Sequence, residues 1–239
     1  MVRRSKRGGG VPWRFLWRLT FLLLAALVLY ESWFFGRVVW WIWVNPTATA
    51  FMEARLEVMR EKDPEAALRH KWVPYAQMST HLKRALIAAE DAKFLNHDGF
   101  DWQAIQRAAS KNLKRGKVVA GGSTISQQLS KNLFLSGRRS PGRKLQEAAI
   151  TVMIETVMSK RRILEIYLNV IEWGHGVFGA EAAARHYYGT AAARLSAGQS
   201  ARLAAMVPNP RYYDRVGTTP ALEKKTAIIR SRMHLAPVP

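Results

Sequence analysis

Gly121-Gly122-Ser123-Thr124-Ile125-Ser126-Gln127-Gln128-Leu129-Ser130-Lys131-Asn132 is the stretch on which the reading of this chain turns. Two glycines followed by Ser and Thr open a helix, because hydroxyl oxygens satisfy the N–H groups that a first helical turn leaves unpaired. Past that opening, Thr124, Gln128 and Lys131 fall at i, i+4 and i+7 on one face, and Ile125, Leu129 and Leu133 fall on another. An apolar back and a hydroxyl–amide–ammonium front predict a helix that packs on a core and walls a polar, phosphate-bearing substrate. Free N–H groups at its start suit an anion. An ordinary capped surface helix has the same pattern. The G-x-x-x-x-G-K-[ST] spacing of a nucleotide phosphate loop is absent.

Helix signals continue on both sides. Upstream, the pattern predicts a helix from about Leu82 to Leu95 that ends near Asp98-Gly99, and Asp101 caps another with Trp102, Ile105, Ala108 and Ala109 inward. Downstream, Ser140-Pro141 is an N-cap and first-turn pair for a long helix reaching about Met158. Ser196 and Gln199 form a capping box for a further helix, which Pro208-Asn209-Pro210 ends, and Thr219-Pro220 opens the last one. No run of alternating strands and no internal repeat is present, so this part of the chain reads as one mainly α domain.

The whole chain has 239 residues, enough for one well-buried domain and a short appendage. With 49% hydrophobic and 23% charged residues it is not a disordered chain. It contains no cysteine, which excludes disulfides, thiol nucleophiles and cysteine-based zinc sites. Lys and Arg number 37 against 17 Asp and Glu, a formal net charge of +20 that implies an anionic partner.

The first 44 residues stand apart. Arg3, Arg4, Lys6, Arg7, Arg14 and Arg18 precede the first acid, Glu31, and an apolar stretch spans residues 19–36. At about 1.5 Å per helical residue that stretch is roughly 27 Å long, close to a hydrocarbon core of about 30 Å. Trp13, Trp17, Trp33, Trp40, Trp41 and Trp43 flank it, as amphipathic rings do at the headgroup level. The basic side is cytoplasmic by the positive-inside rule. A cleavable leader would share these features, but its only small-residue box, Ala48–Ala50, lies far downstream of the apolar run. An interfacial amphipathic helix is the other reading, favoured by Glu31 and Arg37. We read a single spanning helix with Glu31 near its outer end. The expected organisation is a basic cytoplasmic tail at 1–18, the membrane helix and interfacial aromatic segment at 19–44, a charged linker at 45–70, and a helical domain at 71–235.

Four further clusters carry chemistry-bearing residues. Glu90-Asp91-Ala92-Lys93-Phe94-Leu95-Asn96-His97-Asp98-Gly99 follows the apolar run Ala85–Ala89. A carboxylate there is partly desolvated, which raises its pKa and suits it to accept a proton. A surface helix end, with Asp91 and His97 capping, fits the spacing too. In Arg139-Ser140-Pro141-Gly142-Arg143-Lys144-Leu145-Gln146-Glu147, Arg143 and Glu147 lie one turn apart, and a salt bridge between them explains the pair as well as catalysis does. Residues 160–169 read as a structural helix whose cations meet lipid headgroups or helix ends, and residues 174–189 as a glycine-rich turn into a closely packed helix. The six histidines are scattered and no H-E-x-x-H occurs, so no metal site is expected.

Taken together and in this order, the clusters resemble the peptidoglycan glycosyltransferases of glycosyltransferase family 51, of the monofunctional type. Glu90, Asp91, Phe94, His97 and Gly99 match E-D-x-x-F-x-x-H-x-G. Gly122, Ser123, Thr124, Gln127, Gln128, Lys131 and Asn132 are similar to G-x-S-T-x-x-Q-Q-x-x-K-N, with tighter glycine spacing. Arg139, Arg143, Lys144 and Glu147 match R-x-x-x-R-K-x-x-E, and residues 163–169 and 178–189 match the last two blocks. The resemblance covers about residues 70–212 and implies a lysozyme-like helical fold. It also implies polymerisation of lipid II into β-1,4 glycan, with inversion and release of undecaprenyl diphosphate.

By that resemblance, Glu90 and Glu147 are the catalytic pair. Glu90 is the base on the acceptor 4-hydroxyl, and Glu147 orients the acceptor or the leaving group. Lys131, Arg139 and Arg143 neutralise the diphosphate. Asp91, Phe94, His97, Ser123, Thr124, Gln127, Gln128 and Asn132 bind substrate. The resemblance implies lipid II, the growing glycan, membrane lipids and other cell-wall synthesis or division proteins as partners, and no nucleic acid. No resident cofactor is implied, and Mg2+ or Mn2+ has a place on the substrate diphosphate. The location implied is the bacterial inner membrane, single-pass, with the domain outside. Neither S-x-x-K nor K-T-G of a transpeptidase occurs. Two other readings compete: a lysozyme-like lytic enzyme, which gains nothing from the Lys131/Arg139/Arg143 cations, and a non-enzymatic basic membrane protein.

Overall fold

The computed structural model describes residues 13–117, 121–136 and 140–239. It opens on α1 (Trp13–Trp40), a single 28-residue helix, roughly 42 Å long at 1.5 Å per residue. Along the apolar stretch its side chains stand clear of the protein, with Phe21, Leu22, Leu23 and Leu29 all exposed. Such a surface is at home in hydrocarbon and not in water. The outer part behaves differently. Phe34 and Val38 are buried, as is Trp41 just beyond the helix, and α1 packs against α6 (Pro141–Val157). Glu31 accepts a hydrogen bond from Gln146 Nε2 at 3.1 Å, which gives this acid a partner on the folded domain. The basic residues before Trp13 lie outside the described residues.

Residues 45–70, expected as a spacer, are instead folded onto the domain. Thr49 caps α2 (Ala50–Arg60), whose Met52 is buried and which packs on α5 (Ile125–Phe134). Arg55 binds Glu172 at 2.9 Å. Arg69–His70 then forms β1, paired parallel to β3 (Val177–Phe178), which pairs antiparallel with β2 (Glu172–Gly174). These strands are two or three residues long, too short to leave the alternation by which a strand is read from sequence.

α3 (Thr80–Glu90) stops at Glu90, not near Leu95. Asp91 leaves the helical region at φ −159° and ψ 74°, and a 3-10 turn at Phe94–Asn96 follows. α4 (Trp102–Arg115) is capped by Asp101, which accepts from Ala104 N–H at 2.8 Å, as expected. Its inward face is only partly the expected one, with Ile105 half-buried but Ala109 exposed. Trp102 is 66% exposed and stacks on Phe100, and only Ala108 is buried. α6 starts at Pro141 behind Ser140, and α7 (Lys160–Val170) follows. Gly179, at φ +81°, turns the chain from β3 into α8 (Ala180–Tyr188), with room for no Cβ: one would lie 2.6 Å from Asn169 O. The Ser196–Gln199 capping box opens α9 (Ala197–Met206), Pro210 both follows its end and starts α10 (Pro210–Val216), and Thr219-Pro220 opens α11 (Pro220–Arg232).

The core runs through the middle of these helices. Leu82, Leu86, Ile87, Phe94, Ile125, Leu129, Ile150, Ile154, Ile163 and Tyr167 are fully buried. α3 packs on α9 and α11, while α5 is enclosed by α2, α6 and α7. The helix quoted first in the sequence is thus the central one.

Candidate active site

Glu90 ends α3, and its carboxylate points to α5. Gln128 Nε2 donates to Glu90 Oε2 at 2.9 Å, and Gln128 Oε1 in turn accepts from the Tyr167 hydroxyl at 2.7 Å. Burial pushes the Glu90 pKa up, Asp91 adds to the rise, and the Gln128 hydrogen bond and the Lys225 charge oppose it. Lys225 comes from α11 and is itself partly buried, which lowers its pKa, with Glu90 pulling it back up. A carboxylate raised in this way is a better proton acceptor than an exposed one.

Of the residues expected to bind substrate, Asp91, Phe94, Thr124 and Gln127 are buried and His97 is half-buried, and all five find their contacts inside the protein. Asp91 Oδ2 accepts from Ile125 N–H at 3.0 Å, at the first turn of α5, and Asp91 Oδ1 pairs with His97 Nε2 at 2.9 Å. Gly99 N–H donates to His97 Nδ1 at 3.2 Å, so the imidazole proton sits on Nε2 and faces Asp91. Thr124 donates its hydroxyl to Gly99 O at 2.6 Å, and together with Gln127 forms a capping box. Phe94 lies beneath, with Lys160 Nζ 4.8 Å from its ring centre. Lys160 also binds Glu155 at 2.8 Å, and Ser126 donates to the same carboxylate. The anion that sequence alone placed at the start of α5 is therefore the protein's own Asp91. This frame fixes the end of α3 against the start of α5, and so fixes Glu90 against Gln128.

α5 is closed on nearly every side. Ile125, Ser126, Leu129, Ser130, Asn132 and Leu133 are buried, while Gln128, Lys131 and Phe134 remain partly open along one stripe. Asn132, expected at the sugar, turns inward and donates to Gln128 O at 2.7 Å. Ser123 is exposed just before the helix. At the far end of the stripe, Phe134 meets Phe34, Trp41 and Trp33 of the α1 segment, with ring centres 5.3, 5.0 and 6.3 Å away. From Gln128 to Phe134 is six residues, about 9 Å of helix. A half-open stripe of Gln128, Lys131 and Phe134 thus leads from the carboxylate to α1, a helix long and apolar enough to span a membrane.

The second acid sits on the neighbouring helix. Glu147 is buried, and Ser130 Oγ bonds its main-chain oxygen at 3.2 Å, tying α6 to α5. The expected Arg143–Glu147 ion pair does not form: Glu147 binds Lys144, and Arg143 Nε is buried with no hydrogen-bond partner among the described residues. An unpaired buried guanidinium nitrogen is a group ready for an anion. Arg139 lies outside the described residues. Tyr167 and Lys225 escaped the sequence reading. The first stood in a run taken as structural, and the second is one of a lysine pair in the last helix; only the packing of α7 and α11 brings them to Glu90. Among the described residues no three His, Asp or Glu come together as a metal site would require.

A family model described as Transglycosylase matches residues 57–234. The "Biosynthetic peptidoglycan transglycosylase" of Nitrosospira multiformis is 62% identical over 226 residues, covering 95% of this chain and 98% of the relative. Proteins of the same name from Methylobacillus flagellatus and Aromatoleum aromaticum are 61% and 58% identical, covering 93% and 100% of this chain and 97% and 100% of their own lengths.

Proposed function

The chain belongs to the transglycosylase family, and from that premise we propose that it is a biosynthetic peptidoglycan glycosyltransferase that polymerises lipid II at the outer face of the inner membrane. The observation that carries this reading is the half-open stripe of α5, which runs from Gln128 on the partly desolvated Glu90, past Lys131, to Phe134 at the foot of α1. A substrate whose lipid stays in the bilayer needs such a path.

In the reaction, the acceptor sugar's 4-hydroxyl oxygen attacks the donor's anomeric carbon, and Glu90 takes the hydroxyl proton. The bond from that carbon to the diphosphate breaks on the opposite face, and undecaprenyl diphosphate leaves with the electron pair. Lys131, Arg143 and Arg139 meet its charge, in the way that fixed cations lower a barrier where charge develops. Glu147, tethered to Lys144, holds that basic end of α6 in place and orients the reacting groups. A divalent ion, were one to assist, would be held by the substrate's diphosphate and would add to the neutralisation of its charge. The basic tail favours a cytoplasmic N-terminus with the domain outside.

The test is to incubate the detergent-solubilised full chain with lipid II, with and without chelator. Glycan polymer is expected from the wild type and none from Glu90→Gln. Unimpaired polymerisation by Glu90→Gln would overturn the assignment of the base, and release of soluble fragments from purified sacculi would replace synthesis with lysis.

A further inference from the structure

We propose that Tyr167, acting through the side-chain amide of Gln128, selects the ionised form of Glu90 and is thereby a positioning residue for proton transfer; this rests on reading Glu90 as the base. Gln128 is held from both ends, donating to Glu90 Oε2 at 2.9 Å and accepting from the Tyr167 hydroxyl at 2.7 Å. A side-chain amide can turn end for end, exchanging donor and acceptor at nearly the same positions. In the orientation present, Glu90 receives an N–H and is favoured as a carboxylate. Turned over, Gln128 would show Glu90 an oxygen, which only a protonated acid can face.

Tyr167 decides between the two. Its ring is fully buried, and among the described residues its hydroxyl has Gln128 Oε1 as its acceptor. With the amide turned, Nε2 would face the phenol and leave the hydroxyl hydrogen buried and unpaired, the costly arrangement for any polar group. The phenol also keeps its proton, since burial and the charges of Glu90 and Asp91 push its pKa well above the ordinary tyrosine range. It is a permanent donor, and it keeps the amide N–H groups on Glu90.

The other groups around Glu90 do not depend on which way Gln128 points. Asp91 is occupied by Ile125 N–H and His97, and Lys225 acts from α11 as a charge. Removing the phenolic oxygen therefore acts on Glu90 through Gln128.

The experiment is the pH profile of kcat/KM for lipid II polymerisation by the full-length chain, wild type against Tyr167→Phe, with thermal unfolding as the check on folding. The acidic limb should move to higher pH, with activity at pH 7 down about three- to tenfold, the weight of one hydrogen bond. Activity should recover toward alkaline pH, and the loss should fall on kcat more than on KM. An unmoved limb, or a loss uniform across pH, overturns the proposal. Gln128→Met, which removes the amide, should move the limb in the same direction and serves if Tyr167→Phe does not fold. Adding Tyr167→Phe to Gln128→Met should move it no further, and a further displacement overturns the route through Gln128. The two levels separate cleanly. Polymerisation by Glu90→Gln removes the base itself, whereas an inactive Glu90→Gln beside an unmoved Tyr167→Phe limb removes this inference alone.

Discussion

With its half-buried carboxylate partly stripped of water, Glu90 binds a proton more tightly in the folded chain than in the unfolded one. Between the ordinary value of 4.5 and that raised value the native state holds more protons, so stability falls as pH rises through the window. At neutral pH the ionised acid strains the fold, and the Gln128 donor and Lys225 relieve part of it. Glu90→Gln, neutral and of the same shape, should abolish polymerisation yet raise the thermal midpoint at pH 7, by about 2–4 °C for each kcal/mol relieved. Below pH 4.5 the two proteins should melt together. A midpoint at pH 7 no higher than wild type would contradict the desolvation argument. At this scale the sequence was readable where a residue's role follows from its local run, as with Glu90 after five apolar residues. At Asp91 and His97 it left capping and substrate contact both open, because residues that fix a reactive neighbour are as tightly specified as those that touch substrate. It was silent on Lys225, whose role exists only once α11 lies on α3.

Among the elements, α5 was the most legible and yet half misjudged. The Gly-Gly-Ser-Thr opening and the Ile125/Leu129/Leu133 stripe gave its start and its buried side. Thr124, placed by spacing on the open front, instead turns in to Gly99 O, since a cap side chain must fold back over its own helix end. Spacing along one helix cannot say which stripe its neighbours leave uncovered. The segment before α5 is held just as firmly. A Cβ on Gly122 would lie 2.9 Å from Ile105 Cα and 3.1 Å from Ile105 N, backbone atoms of α4 that have no rotamer to yield. Gly122→Ala should therefore push Ser123 and Thr124 away from α4, lowering stability by about 1–3 kcal/mol as overpacking does. It should lower polymerisation further than the folded fraction explains, because the same shift reaches the Asp91–Ile125 bond that holds Glu90 to Gln128. Calorimetry beside the lipid II assay measures both, and activity that tracks the folded fraction alone would rule out the second effect.

For the molecule as a whole, the long apolar helix and the helical domain were each visible in composition, but the joint between the two was not, because it pairs residues more than a hundred positions apart. Arg162 of α7 makes that joint. It donates to Trp41 O at 2.9 Å, Val44 O at 3.0 Å and Asn45 Oδ1 at 2.9 Å, and is steadied by Glu165 at 2.8 Å. These acceptors follow the end of α1, where carbonyls lack helical partners and a cation is favoured. With the Phe34–Phe134–Trp41 cluster and the Glu31–Gln146 bond, Arg162 ties the outer end of α1 to the domain. Orientation then matters as much as attachment, since the α5 strip delivers a lipid-bound substrate only while its Phe134 end stays at the membrane helix. Arg162→Ala should leave the protein in the membrane fraction, because the apolar face of α1 is untouched. It should speed proteolysis within residues 41–49 and reduce polymerisation severalfold in lipid vesicles, with a smaller loss in detergent, where substrate reaches the cleft from any side. Equal losses in both media would mean that Arg162 serves the fold of the site and not its alignment with the bilayer.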